Sequence, residues 1–99
     1  MSLGITKEED KIIKNILKQY TKNFKFYYYG SRVKNAFEKV SDLDILIKGE
    51  QNFPVSILED LKTKFDNSNL PYVVNLSDYH NFDKSFFEKN IKSDLISIF

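Results

Sequence analysis

Apolar residues recur at helical spacing near the start of the chain. Thr6 and Glu9 stand three residues apart and match a capping box, in which each side chain binds the backbone N–H of the other residue. The apolar positions that follow share one helical face: Ile12, Ile13, Ile16, Leu17 and Tyr20. The pattern predicts a first helix that begins after Thr6 and ends between Tyr20 and Asn23.

The middle of the chain is patterned as strands. The aromatic run 24–29 has high β-propensity, and alternate side chains of a strand point to opposite faces. The two predicted faces are Phe24, Phe26 and Tyr28 on one side and Lys25, Tyr27 and Tyr29 on the other. A second strand is predicted over Asp42–Lys48, with Leu43, Ile45 and Ile47 directed into the core. A third is predicted over Leu70–Leu76, with Pro71 tolerated near its start.

Two further helices are predicted. Phe53-Pro54 begins one, because proline suits a first helical turn, and it ends at 66–69. Its buried stripe consists of Ile57, Leu58, Leu61 and Phe65. Asp83 is the predicted N-cap of a last helix that carries Phe86, Phe87 and Ile91, and 94–99 reads as an apolar edge strand. Residues 31–36 are predicted as a short helix or turn and 37–41 as a loop.

Length and composition narrow the class of protein. A chain of 99 residues predicts a single domain over 1–99. The net charge of +1 argues against an extended basic surface for nucleic acid. The absence of cysteine excludes disulfides, zinc thiolates and thiol nucleophiles. No apolar run approaches the ~20 residues of a membrane span, and no signal peptide is visible, so a cytoplasmic location is expected.

One pattern carries candidate chemistry: Gly30-Ser31, ten intervening residues, then Asp42-x-Asp44. Because strand side chains alternate, both carboxylates should lie on one face, with Cα atoms ~6–7 Å apart. Two carboxylates on one face suit Mg²⁺, which keeps its other positions for water and substrate phosphate oxygens. Asp42 and Asp44 are therefore the predicted metal-binding and catalytic residues.

The residues after the aromatic strand suit a phosphate group. Gly30 allows close approach of the backbone, and Ser31 offers a hydroxyl and an N–H. Arg32 is the only arginine in the chain, and its planar fork matches phosphate oxygens. Gly30, Ser31 and Arg32 are the predicted nucleotide-binding residues, and Lys34 is a second candidate for the phosphate tail. For the neighbouring tyrosines, packing in the sheet is favoured over stacking on a base.

These features together resemble the DNA polymerase beta-like nucleotidyltransferases and, in this short form, the minimal nucleotidyltransferases or MNT proteins. The resemblance implies an α+β fold with a mixed sheet flanked by helices, in which the Gly-Ser turn and the acidic strand form one nucleotide site. It also implies Mg²⁺-dependent transfer of a nucleoside monophosphate, AMP from ATP, to an acceptor hydroxyl. Such proteins are often paired with a HEPN-domain toxin, and the acceptor implied by the family is a tyrosine of that partner.

The sequence departs from the family on the third strand. The family commonly has a carboxylate in a stretch like Val-Asp-Leu, where this chain has Val74-Asn75-Leu76. An amide oxygen can contact a metal, but it cannot act as a general base, a role typically worth about 10²–10⁴-fold in rate. Asp78 should face the other way on a regular strand. His80 lies in a polar loop and is interpreted as a surface residue.

Two functions follow from these observations. The first is the Mg²⁺-dependent nucleotidyltransferase, which the intact Gly-Ser and Asp-x-Asp favour. The alternative is an antitoxin or binding module that keeps the fold, has weakened or lost catalysis, and acts by contact with a HEPN partner; Asn75 favours this alternative. A stand-alone nucleic-acid binder is disfavoured by the charge balance.

Overall fold

A mixed β-sheet with helices on both faces organises the part of the chain that the structure, a computed structural model, describes: residues 3–34 and 41–99. The strands are β1 (Lys25–Tyr29), β2 (Leu43–Lys48), β3 (Val74–Asp78) and β4 (Ile96–Ser97). The helices are α1 (Lys7–Leu17), α2 (Val55–Asp66) and α3 (Lys84–Asn90). Short 3₁₀ turns occupy Lys18–Tyr20, Tyr79–Asn81 and Lys92–Asp94. The expected α+β class is confirmed.

The strand order is β3-β2-β1-β4. β1 runs antiparallel to both β2 and β4, whereas β2 and β3 are parallel. A parallel pair needs a crossover connection, and α2 lies in this one. The register pairs Asp44 with Tyr29 on one side and with Asn75 on the other. The acidic end of β2 therefore lies between the last residue of β1 and the first half of β3.

One face of the sheet packs against α1 and α2 to form the main core. The alternation predicted for the first two strands is confirmed, because their even and odd positions respectively are buried here. The buried residues of the helices and of these strands are Ile13, Leu17, Phe26, Tyr28, Leu43, Ile45, Ile47, Leu61 and Phe65. This burial holds the backbone of β2 in place, so the side chains on its opposite face project from a backbone whose position is fixed.

The opposite face carries a smaller apolar cluster beneath α3. Leu46, Phe87 and Ile91 are buried there, with Tyr27 and Tyr29 packed against them. This cluster covers the middle of the face, and Asp42 and Asn75 beyond it are exposed. Within 3–34 and 41–99, no helix has the length and apolar character needed to cross a membrane.

The predicted N-terminal caps of the first and last helices are confirmed, whereas α1 ends at Leu17, before the predicted end between Tyr20 and Asn23, and a 3₁₀ turn follows it to Tyr20. The capping box is present: Glu9 N donates to Thr6 Oγ1 (3.1 Å), and Thr6 N donates to Glu9 Oε1 (3.2 Å). Asp83 caps α3 by accepting from Phe86 N. The short edge strand near the C-terminal end is also confirmed as β4. What was predicted for residues 35–40 lies outside the described residues.

The predicted start of the third strand is wrong. The strand begins at Val74, four residues after Leu70. Leu70 and Tyr72 are half-buried because they pack on the core from a loop, an apolar pattern that resembles a strand. Pro71 has no N–H to give to a neighbouring strand, and the N–H of Leu70 is directed to the Ser68 hydroxyl. The parallel ladder consequently starts later than the apolar pattern suggested.

Candidate active site

Asp42 and Asp44 lie at the start of β2, on the face turned away from the main core. Asp42 directly precedes the strand and is exposed, whereas Asp44 is its second residue and is half-buried. Leu43 between them is fully buried. The alternation expected from the Asp-x-Asp pattern is therefore present, and the burial of Leu43 keeps both carboxylates on the open face.

A single amide nitrogen joins the two carboxylates. Asn75 Nδ2 donates to Asp42 Oδ2 (3.1 Å) and to Asp44 Oδ1 (3.2 Å). The parallel register places Asn75 directly beside Asp44. Both N–H groups of the amide are used on acceptors that carry negative charge, so the interaction is stronger than a bond between neutral groups.

The donor set suits a small hard cation. The N–H hydrogens of Asn75 carry partial positive charge and are directed at an oxygen of each carboxylate, so the position between the two carboxylates favours positive charge. In the described parts of the chain, no group of three or more histidine, cysteine or acidic side chains is gathered for metal binding. Asp42, Asp44 and, after rotation of its amide, the oxygen of Asn75 thus fit Mg²⁺, which needs one or two protein carboxylates.

The environment of Asp44 raises its pKa above the usual value for an aspartate. Burial is the largest cause, because it penalises the charged form. The hydrogen bond from Asn75 opposes this shift, and the nearby charge of Asp42 adds to it. A divalent cation would favour the charged form of both carboxylates, so proton and metal compete at this position.

Gly30 packs directly against Asp44. Its φ is +87°, in the region that disfavours residues with a side chain. A Cβ atom added to Gly30 would overlap Asp44 Oδ2. The carbonyl of Gly30 accepts from Val33 N (3.1 Å) and Lys34 N (3.2 Å), which closes a turn, and Ser31 in that turn is half-buried. The Gly-Ser turn and the acidic strand are thus adjacent.

Arg32 does not project into this open cleft. Its side chain is 1% exposed. Its guanidinium donates to Ser41 O (2.8 and 3.2 Å) and to Leu3 O (3.0 Å). Its Cζ also lies 4.3 Å from the centroid of the Tyr72 ring. The residue type suggested a phosphate ligand, but the structure places the guanidinium among backbone carbonyls behind the turn.

Lys34 is the basic side chain of the turn that reaches solvent. Its side chain is about half exposed, and Nζ lies 3.4 Å from Asp94 Oδ2. An exposed ion pair of this kind is worth at most about 1 kcal/mol, so the ammonium can exchange its partner at little cost.

Ser77 is a neighbour of the site that sequence reasoning did not single out. Tyr29 donates from its hydroxyl to Ser77 Oγ (3.1 Å), crossing above β2. Burial raises the pKa of Tyr29, and the charge of Asp44 adds to that shift. The two-residue spacing from Asn75 could have identified Ser77, since both lie on one face of β3. Tyr29 packs edge-to-face with Phe82, as expected for a sheet residue.

Asp78 faces the opposite side of β3, as its spacing predicted. It is buried, and Oδ2 accepts from Phe53 N (2.7 Å) while Oδ1 accepts from His80 N (3.0 Å). Asp78 therefore fixes the segment that leads into α2. His80 is exposed, as expected, with Nε2 2.8 Å from Gly49 O.

Comparison with known proteins agrees with this geometry. A family model described as polymerase beta, nucleotidyltransferase matches residues 11–99. A protein of Haemophilus influenzae named probable protein adenylyltransferase MntA is 37% identical over 86 residues, which cover 87% of this chain and 75% of that protein.

Two solved structures share the fold. The crystal structure of a toxin–antitoxin with AMP-PNP has a TM-score of 0.65 and 18% identity, covering 91% of this chain and 72% of that one. A putative nucleotidyltransferase from Sulfolobus solfataricus has a TM-score of 0.51 and 19% identity, covering 89% and 73%. At these identities the likeness concerns the fold alone.

Proposed function

This chain belongs to the polymerase beta nucleotidyltransferase family, and from that membership we propose that it transfers AMP from ATP to a hydroxyl group on a partner protein. The observation that carries the proposal is the juxtaposition of Asp42, Asp44 and Gly30 at one end of the sheet. The name of the Haemophilus influenzae relative, a probable protein adenylyltransferase, supports both AMP as the group transferred and a protein as the acceptor.

The proposed reaction is a displacement at the α-phosphorus of ATP. The acceptor oxygen forms a bond to this phosphorus while the bond to the oxygen bridging the α- and β-phosphates breaks. Pyrophosphate leaves, and the proton of the acceptor hydroxyl passes to solvent. Asp42 and Asp44 would hold Mg²⁺, which when bound supplies neutralisation of phosphate charge. The paired carboxylates would place that neutralising charge beside the phosphates.

The Gly-Ser turn would receive the phosphate tail. Gly30 keeps the backbone free of a side chain beside Asp44, and Ser31 contributes its hydroxyl and N–H. We assign the basic contact to Lys34, whose ammonium can leave the exposed pair with Asp94. Arg32, buried behind the turn, would support nucleotide binding from within.

The chemistry of Asn75 favours a phenolic acceptor. An amide cannot take a proton from the attacking hydroxyl, so the acceptor must release it more readily by itself. A tyrosine hydroxyl has a pKa of about 10, and it is far more acidic than an aliphatic hydroxyl. We therefore propose a tyrosine as the acceptor, and the resemblance to the minimal nucleotidyltransferases implies that this tyrosine belongs to a HEPN-type toxin. The fold shared with a protein from a toxin–antitoxin supports a toxin as the partner.

A second candidate function is neutralisation of the same partner by contact alone. Asn75 is the observation that favours it, because this residue replaces the expected carboxylate with a neutral amide. In that case the chain would bind the partner and leave it unmodified.

One experiment separates the two functions. The protein is incubated with Mg²⁺, ATP labelled on its α-phosphate and the HEPN-type candidate partner, and label on the partner is located by mass spectrometry. Transfer to a tyrosine that disappears in the Asp42→Ala, Asp44→Ala double variant supports the enzyme. A stable complex without transfer supports the contact function. Transfer that survives the double variant contradicts the assigned site. The matched control is Asp60→Ala with Asp66→Ala, which removes two exposed acids of α2.

A further inference from the structure

We infer that Arg32 is a positioning residue that joins the phosphate turn at Gly30-Ser31 to the metal-binding carboxylates, from which ten intervening residues separate that turn in the sequence. The inference rests on the proposed function and assigns Arg32 a role distinct from direct phosphate contact. Four observations carry it: the burial of the guanidinium, the identity of the atoms it binds, the position of the Arg32 backbone in the turn, and the side chains that hold the guanidinium.

The burial of Arg32 is costly unless the charge is well bound. A guanidinium cannot lose its proton in a protein, so a side chain that is 1% exposed must be stabilised by hydrogen bonds. Nε and Nη2 both donate to the carbonyl of Ser41, and Nη1 donates to the carbonyls of Leu3 and Gly4. Hydrogen bonds to a charged group are stronger than those between neutral groups, so these contacts fix the positions of both partners.

The carbonyl of Ser41 is the atom through which Arg32 reaches the site. Its peptide unit is planar and includes the backbone nitrogen of Asp42, so holding the carbonyl orients the start of that residue. On the other side of Asp42, Leu43 N donates to Val73 O (2.8 Å) and begins the parallel ladder. Asp42 is thus restrained at both peptide bonds, and Arg32 supplies one of the two restraints.

The backbone of Arg32 belongs to the other half of the site. It lies within the turn that the Gly30 carbonyl closes by accepting from Val33 N and Lys34 N. The backbone of one residue therefore stands in the phosphate turn while its side chain holds the peptide before Asp42. A displacement of either half must strain the other, which couples the site for the phosphates to the site for the metal.

A second layer holds the guanidinium itself. Tyr72 lies beneath it, with Cζ 4.3 Å from the ring centroid, and the hydroxyl of Tyr72 donates to Glu9 Oε1 (3.1 Å). Glu9 is also the acidic member of the capping box of α1. The chain of contacts runs from α1 through Tyr72 and Arg32 to the peptide of Asp42. Tyr72 thus acts on the cleft through Arg32 in this chain of contacts, which makes it a separate point at which to test the coupling.

The test separates positioning from phosphate contact by the metal dependence of nucleotide binding. Affinity for a non-hydrolysable ATP analogue is measured with Mn²⁺ and again in EDTA for wild type, Arg32→Met, Arg32→Lys and Tyr72→Leu. Each variant is first checked for folding by its thermal melting curve. Lys64→Met, which removes an exposed charge on α2, is the control.

If Arg32 is a positioning residue, the factor by which Mn²⁺ increases affinity for the analogue should be about tenfold smaller in Arg32→Met than in wild type. This reduction corresponds to about one charged hydrogen bond. In Arg32→Met the loss of affinity in EDTA is much smaller than the loss with Mn²⁺, Tyr72→Leu shows the same signature, and Arg32→Lys recovers part of the gain. Equal losses with and without metal for Arg32→Met, with Tyr72→Leu unaffected, would establish phosphate contact and overturn the inference. If Arg32→Met does not fold, Arg32→Lys and Tyr72→Leu decide by the same criterion.

The measurement on wild type separates a failure of this inference from a failure of the proposed function. A wild-type protein whose analogue binding gains nothing from Mn²⁺ contradicts the metal site itself. A wild type with a clear gain that every Arg32 and Tyr72 variant retains contradicts only the positioning role.

Discussion

Asn75 and Asp44 are register partners on adjacent parallel strands, and Asn75 Nδ2 donates to Asp44 Oδ1 across 3.2 Å. The same nitrogen binds Asp42 at 3.1 Å. The amide therefore relieves the repulsion between two neighbouring carboxylates while it contributes no charge of its own. This relationship leads to the first prediction, because it ties the identity of residue 75 to both stability and metal binding.

Asn75→Asp should weaken the metal-free protein and strengthen metal binding. A third carboxylate replaces a donor of two hydrogen bonds with a like charge, so the free energy of unfolding in EDTA should fall by about 1–3 kcal/mol. Mn²⁺ should reverse the loss, because the variant offers three carboxylates to the ion. Chemical denaturation with and without Mn²⁺ measures both effects. Asn69→Asp makes the same charge change in an exposed loop and should show neither; equal behaviour of the two variants would contradict the assignment.

Gly30→Ala should damage both stability and the site. The positive φ costs a residue with a side chain about 1–2 kcal/mol, and the new methyl group meets the Asp44 carboxylate. We expect a loss of at least this size in denaturant unfolding, together with lost binding of Mn²⁺ and ATP analogue. Gly49→Ala is the comparison, because its Cβ would meet the Phe24 ring away from the acids. It should lose stability but retain nucleotide binding, and a Gly30→Ala protein that also retains binding would refute the close packing.

The stability of the metal-free protein should depend on pH through Asp44. Burial raises the pKa of this carboxyl in the folded state, so its contribution to folding is fully present below the unfolded pKa and is lost as pH rises through the folded pKa. Asp44→Asn removes this dependence. The free energy of unfolding of Asp44→Asn, relative to that of wild type, should therefore increase from acid to neutral pH.

Denaturant unfolding in EDTA at several pH values measures the shift for Asp44→Asn. Asp60→Asn, an exposed change on α2, serves as the control and should give a flat difference. If the free energy of unfolding of Asp44→Asn relative to wild type does not change with pH, or decreases as pH rises, burial does not determine the pKa of Asp44.

Asp78→Ala should separate folding from function. The change leaves the N–H groups of Phe53 and His80 without the carboxylate that accepts from them, and the free energy of unfolding should fall by about 1–3 kcal/mol. Binding of Mn²⁺ and ATP analogue should persist below the melting temperature, because Asp78 faces away from Asp42 and Asp44. Calorimetric titration of the folded variant with Mn²⁺ and the ATP analogue measures this binding. Loss of metal-dependent binding in a folded Asp78→Ala protein would instead make Asp78 a third acid of the site.

Much of this architecture could be predicted from local patterns. The capping box at Thr6 and the alternation of the first two strands follow from spacings of a few residues, which local backbone geometry determines. The face occupied by Asp78 follows in the same way, from an odd separation along a regular strand. The mixed sheet followed from the resemblance carried by Gly30-Ser31 and the two acids.

The environment of Arg32 could not be predicted in this way. Among the described residues its acceptors include the carbonyls of Leu3, Gly4 and Ser41, and its guanidinium lies over Tyr72; only tertiary folding brings these groups together. A rule based on residue type assigns an arginine beside a Gly-Ser turn to phosphate, since it contains no information on burial. The start of β3 was misplaced for a related reason, because Leu70 and Tyr72 are apolar for packing from a loop.

The most direct test of the central claim is a crystal structure of the protein soaked with Mn²⁺ and a non-hydrolysable ATP analogue, with the ion located by its anomalous scattering. We predict an ion within about 2–2.3 Å of carboxylate oxygens of both Asp42 and Asp44. The analogue's phosphates should lie at the Gly30-Ser31 turn, and the Asn75 amide should be rotated so that its nitrogen no longer occupies this position. A cleft that stays empty at saturating ligand, or an ion bound away from both aspartates, would contradict the claim.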